Sequence, residues 1–386
     1  MRISRDRAAR RRLAALTAAA LAATGVGALV GSNVGEPPGQ SGSGPGENDG
    51  RVTAEAVGQL SLGQQVGQVL VLSFPGRSAP TYVRRILRDG EAAGVVLFGA
   101  NVGSPRQVRE LTSQLREASA GSALVATDQE GGETRILDFA APEQGQASQS
   151  TPAAARAAAL QAARDLRAVG VNVNLAPVAD VPSGRSVVRD RAFPGPPARV
   201  VSLVRGALGG YREGGVAATA KHFPGFGAAA VNTDDAPASI ARRREQIEAV
   251  DLEPFRVAVR ERVPLVMASH ALYPAYDAER IASQSRELLV GVLRERLGFG
   301  GVVVTDSLEA EAVLGRSSIA VAAERSLEAG ADLVLMTGSG SFKLVYPHLL
   351  RRARSSGAFR ARVREAAGRV LALKRRLGLR GPRVER

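Results

Sequence analysis

The chain has no Cys and no Trp, three His, and only three Lys among its 51 basic residues. Lack of Cys removes disulfide scaffolds, thiol nucleophiles, Cys-ligated zinc and iron–sulfur clusters together. His222, His270 and His348 show no His-x-x-x-His spacing, so no metal site is expected. Acidic residues are also in deficit, 37 against 51, which leaves a net charge of +14. That surplus sits at the two ends: residues 1–12 carry +5 and residues 351–386 carry +11, so the remainder is near −2. A nucleic-acid enzyme concentrates its basic stripe around the site. No nucleic-acid partner is therefore expected, although the basic end segment has some affinity for anionic polymers or headgroups.

What the chain does have is 45% apolar residues and 23% charged ones over 386 positions, an ordinary globular balance. Residues 1–12 are Arg-rich and Leu13–Val30 is an uncharged run of 18, the layout of an export signal. The run is also long enough to act as an uncleaved membrane anchor. Residues 31–50 are rich in Gly, Pro and Ser and read as a linker. The expected organisation is a signal or anchor at 1–30, a linker at 31–50, one catalytic domain at 51–380 and a basic tail at 381–386. The expected location is outside the cell or at its surface.

From about Arg51 eight short apolar runs alternate with amphipathic segments. They are Val66–Phe74, Gly94–Gly99, Ala123–Asp128, Val171–Asp180, Val216–His222, Pro264–His270, Gly301–Asp306 and Ala331–Met336. Their Val, Ala and Leu content without strict alternation fits strands buried on both faces. Eight strand–helix units in about 320 residues predict an α/β fold, a (β/α)8 TIM-type barrel in a single domain.

Five of these runs close on Asp128, Asp180, Lys221-His222, His270 and Asp306. Barrel active sites lie at the C-terminal ends of the strands. A single charged strand end is commonplace and often caps the next helix; five together point to a site. Lys221 stands out against the Arg bias and marks a need for a compact ammonium donor. Gly225–Ala230 imitates a dinucleotide fingerprint but lacks the acidic residue about 20 positions on, so no cofactor is expected. Charged side chains around a barrel mouth suit a neutral, hydroxyl-rich sugar, and glycosidic cleavage needs a carboxylate and a proton donor.

At these residues the sequence resembles glycoside hydrolase family 3, in its single-domain β-N-acetylhexosaminidase branch, from about Leu60 to Leu379. The likeness rests on SLGQQVGQVLVLSF, AGVVLFGANV, TDQEGG, NLAPVADV, RAF, KHFPGFG, MASHALYPAYD, GVVVTDSLEAEAV and AGADLVLM, in that order. It implies that Asp306 is the nucleophile of a retaining mechanism. It also implies that Asp128, Arg135, Arg191, Lys221 and His222 bind the terminal sugar. Arg135 stands one residue nearer Asp128 than in the family pattern. An oligosaccharide or cell-wall glycan is the expected partner, and the chain is expected to be monomeric.

The family's acid/base His loop is altered. Here it reads AAAVNTDDAPAS, with Asp234 at the position of the His and Asn232 at that of its Asp partner. Three readings stay open at this point: Asp234 or Asp235 is the proton donor, another loop supplies it, or the protein binds glycans with impaired or lost hydrolysis. The first requires an Asp pKa well above about 3.9.

Overall fold

The structure is a computed structural model that describes residues 55–383. The expected signal or anchor at 1–30, the linker at 31–50 and residues 384–386 lie outside the described residues. Eight parallel strands form a closed barrel: β1 (Leu70–Leu72), β2 (Gly94–Leu97), β3 (Leu124–Thr127), β4 (Val173–Asn174), β5 (Ala217–Phe223), β6 (Leu265–Ala268), β7 (Val302–Ser307) and β8 (Leu333–Met336). Each strand pairs with its neighbour in sequence, and β1 closes on β8 through Leu70–Leu72 beside Val334–Met336. All eight coincide with the apolar runs read from the sequence, in the same order, with β5 and β7 each running one residue further, to Phe223 and Ser307.

Between strands run helices whose starts carry local signals. Ser104 and Thr151 accept hydrogen bonds from the backbone N–H groups of Gln107 and Ala154, and each is followed by Pro at the first helical position. One face of each helix packs on the barrel, as Val108, Leu111 and Leu115 do in Pro105–Ala118.

Side-chain parity along the strands decides what reaches the mouth. Leu124 and Ala126, Leu265 and Met267, Val302 and Val304, and Leu333 and Leu335 fill the barrel interior. Their neighbours Val125, Val266, Val303 and Val334 face the helices. Two residues further along the interior set stand Asp128, Ser269, Asp306 and Thr337. Ala217 starts an interior set in β5, which places Lys221 at the same level.

The opposite end of the barrel is stoppered by the helix Gly357–Arg376, whose Val370 and Leu373 join the interior cluster. Beside them Lys374 is buried, with its ammonium donating to Gln68 Oε1 at 2.7 Å. Burial pushes the amine down to about 7. An unfolded Lys keeps its proton to about 10.4, so between these values the unfolded chain binds more protons. Stability should therefore climb by up to about 1.4 kcal/mol per pH unit from pH 7 toward 10. Thermal unfolding of the wild type against Lys374→Met over that range tests this: a slope of the same size in the variant would refute it.

Candidate active site

The mouth at the C-terminal ends of the strands holds a cavity of about 500 Å3. Its lining includes Asp128, Arg191, Lys221, His222, Asp234 and Asp306. These residues span nearly two hundred positions and meet because their loops all leave the barrel at one rim.

Lys221 is the hub. Its ammonium is 2.5 Å from Asp128 Oδ1 and 2.6 Å from Glu130 Oε1, with only 2% of the side chain exposed. Burial alone would depress this amine, but Asp128 and Glu130 hold it above its ordinary value. Glu130, itself buried, receives Arg191 as a fork: Nε to Oε2 at 2.9 Å and Nη2 to Oε1 at 2.7 Å. Burial opposes its ionisation, yet Lys221 and Arg191 hold the Glu130 carboxyl down at about 2. A permanently ionised Glu130 thus orients both cations, leaving Asp128 and the outer edge of the guanidinium toward the cavity. Glu130 lies in the TDQEGG element, where nothing in the sequence sets it apart from its neighbours; its burial between two cations marks it.

Consecutive strand residues normally face opposite sides, yet Lys221 and His222 both line the cavity. The β5–β6 register shifts between Ala220 and Phe223, an irregularity that re-aims the side chains there. A similar shift between Val304 and Ser307 lets Asp306 and Ser307 share the mouth. Behind His222 sits Asp180, fully buried. Its carboxylate accepts from His222 Nδ1 at 2.7 Å and from the N–H groups of His222 (3.1 Å) and Phe226 (2.6 Å). The ring tautomer is thereby set, with Nε2 as its remaining polar atom.

The glycines of KHFPGFG serve packing, not phosphate binding. A side chain on Gly225, at φ +130, would meet the Asp251 Cβ at 2.5 Å, and one on Gly227 would meet the Val181 carbonyl at 2.0 Å. Tyr273 Oη donates to the Gly225 carbonyl at 2.9 Å and holds the turn.

Asp306 ends the interior row of β7. Burial raises its carboxyl, but the charges of His222, His270 and Lys221 outweigh that and hold it below its ordinary value. Ser307 N–H donates to its Oδ1 at 2.8 Å. His270 does not line the cavity. Its Nε2 donates to the Ser307 carbonyl at 2.9 Å and its Nδ1 pairs with Ser283 Oγ at 2.7 Å, so it braces the backbone beside Asp306. Burial lowers its pKa.

Arg135 departs from its expected place. It belongs to a hairpin of Gln129–Gly131 with Thr134–Arg135, and its Nε donates to the Ala140 carbonyl at 2.9 Å, while Thr134 and Ile136 line the cavity.

On the far wall, the altered loop is fastened to the segment after β7: the carbonyls of Thr233 and Asp234 accept from Ala312 and Glu311 N–H at 3.1 and 3.2 Å. Asp234 lines the cavity while staying open to solvent at its lip; Asp235 is exposed and does not line it. Desolvation first, and the neighbouring Asp306 charge second, raise the Asp234 carboxyl above its ordinary value. Two carboxyl groups whose environments push their pKa values apart are the electrostatic pattern of a base or nucleophile facing an acid. Glu309 also lines the cavity, but its oxygens accept from Thr337 N–H (2.8 Å), Gly338 N–H (2.7 Å) and Ser341 Oγ (2.5 Å). An acceptor so occupied is unsuited to proton donation. Among the described residues no cluster of His, Cys, Asp and Glu has the arrangement of a metal site.

Residues 56–373 match the glycosyl hydrolase family 3 N terminal domain. The chain is 35% identical over 279 residues to a beta-hexosaminidase of Xanthomonas oryzae pv. oryzae, covering 69% of this chain and 83% of that protein. It is 30% identical over 342 residues to a secreted glycosyl hydrolase of Arthroderma benhamiae, covering 84% of this chain and 96% of that one. The fold superposes on a family 3 beta-N-acetylglucosaminidase from Paenibacillus sp. str. FPU-7 with a TM-score of 0.78 at 33% identity. That match covers 83% of this chain and 63% of the Paenibacillus chain.

Proposed function

The chain belongs to glycosyl hydrolase family 3, and from that premise we propose that it is an exported, retaining exo-β-N-acetylhexosaminidase. In this reading Asp306 attacks the anomeric carbon of a terminal β-linked N-acetylglucosamine and forms a covalent glycosyl-enzyme. Asp234 protonates the leaving oxygen, then takes a proton from the water that releases the sugar with net retention. Asp128, Arg191, Lys221 and His222 hold the sugar hydroxyls, with no cofactor or metal in the reaction.

The observation that carries the reading is the pairing across one cavity of a half-buried carboxylate of lowered pKa, Asp306, with a raised one, Asp234. Of the alternatives for the donor, Asp235 faces away and Glu309 is saturated. Export is supported by the Arg-rich and apolar N-terminal sequence and by likeness to a secreted fungal relative; the segment itself lies outside the described residues. Among the described residues no helix is long and apolar enough to cross a membrane.

The test is release of nitrophenol from an aryl β-N-acetylglucosaminide, with the anomer formed first read by proton NMR. The β-anomer is expected. Initial α-anomer would exclude the double displacement, and saturable sugar binding without turnover of any aryl glycoside would favour a glycan-binding role.

A further inference from the structure

Past Thr337 the rim dips into a second cavity of about 530 Å3, lined from the helices Thr81–Arg88 and Ser341–Ser355. Its walls carry Tyr82, Phe342 and Tyr346, in a chain with only five Tyr, ten Phe and no Trp. Phe342 and Tyr346 stack with centroids 5.2 Å apart and planes 14° from parallel. Tyr82 is 41% exposed, and the polar heads of Arg85 and Lys343 stand at the edge.

The partition between this cavity and the catalytic one is a single strand of backbone: Thr337 lines the first and Gly338 the second. Ser73 Oγ donates to the Thr337 carbonyl at 2.6 Å, and Glu309 grips the Thr337 and Gly338 amides from the catalytic side. The crest is low, because Gly338, Ser339 and Gly340 carry almost no side chain. At Gly338 none fits, since a Cβ would lie 2.7 Å from Glu309 Oε1. From Asp234 the catalytic wall runs through Ala310 and Glu309 to this crest. Asp234, Ala310, Glu309 and Thr337 thus line the catalytic cavity, and the next residue, Gly338, lines the aromatic one.

We propose that the aromatic cavity is a leaving-group subsite for the downstream sugars of a β-linked N-acetylglucosamine oligosaccharide. The proposal rests on the glycosidase reading above. A pyranose offers an apolar C–H face that packs on Tyr or Phe and an equatorial ring of hydroxyls for polar heads at the edge. A monosaccharide bound in the catalytic cavity does not reach it, so its contribution appears only with longer chains.

Rates on chitin-type oligomers of two to four sugars, beside the aryl monoglycoside, separate the possibilities. In the wild type kcat/KM should rise about tenfold from disaccharide to tetrasaccharide, the return expected of one well-stacked ring. Tyr82→Ala and Phe342→Ala should erase that rise and leave the aryl monoglycoside unchanged, which also verifies folding. Equal kcat/KM for all lengths, or an equal loss on every substrate in the exposed Tyr82→Ala variant, would overturn the subsite. If the wild type turns over no substrate, the glycosidase reading falls. The subsite is then judged by tetrasaccharide affinity in wild type and Tyr82→Ala, with identical affinities counting against it.

Discussion

Asp306→Asn should lower turnover of an aryl β-N-acetylglucosaminide by about 10^4-fold or more, the scale on which loss of a catalytic nucleophile is felt. The amide matches the carboxylate in shape and keeps an acceptor for the Ser307 N–H, so the barrel mouth stays intact. What disappears is the electron pair that, in the proposed mechanism, forms the bond to C1. The position is also electrostatically committed: burial works against the charge, but Lys221, His222 and His270 keep Asp306 ionised. In the wild type a 2-fluoro sugar with an activated leaving group should leave a mass increment on the peptide containing Asp306, and the variant should take up none. Undiminished turnover in Asp306→Asn, or an increment on another peptide, would exclude the mechanism.

Asp234→Ala should separate substrates by the basicity of what they expel. A natural disaccharide needs its leaving oxygen protonated and should lose about 10^2- to 10^4-fold, the usual worth of a general acid. A dinitrophenyl glycoside leaves unaided, so its bond-breaking step should change little. Release of the trapped sugar then becomes slow, and azide should restore it by replacing activated water.

The pH profile has a defined sign. In the proposed mechanism activity requires Asp306 ionised and Asp234 protonated. The acid limb therefore lies below the ordinary carboxylate range, where Asp306 gains its proton. Activity falls on the alkaline side as Asp234, raised by desolvation and by Asp306, loses its own. The optimum lies between these two limbs, and in Asp234→Ala the alkaline limb should vanish for the dinitrophenyl substrate. An alkaline limb that survives at the same pH would assign the proton to another group.

Much of this was legible in one dimension. A buried parallel strand has to be apolar over four to eight residues, so the eight runs announced themselves. Their polar ends marked the rim because the chain must meet solvent there. Asp128, Lys221 and Asp306 follow by counting in twos from interior residues, which is local geometry that any β-strand obeys.

Other features depend on partners far apart in the chain or on parity in short irregular segments. Glu130 acquires meaning only when Arg191, 61 residues on, and Lys221 close over it. Asp180 and His270 close apolar runs of the sequence as Asp128 and Asp306 do, but the packing sets them behind the cavity as supports for His222 and the backbone beside Asp306. Arg135 bonds the Ala140 carbonyl and does not line the cavity. The altered loop could be read only as a choice between donors until its attachment to Glu311 and Ala312 held Asp234 at the cavity and left Asp235 outside. Composition and strand period are properties of neighbours along the chain, and they pointed to the barrel and its rim, while the ordered motifs carried the family resemblance. Which carboxylate is dry, which is saturated and which faces another charge are properties of neighbours in space, and folding alone assigned them.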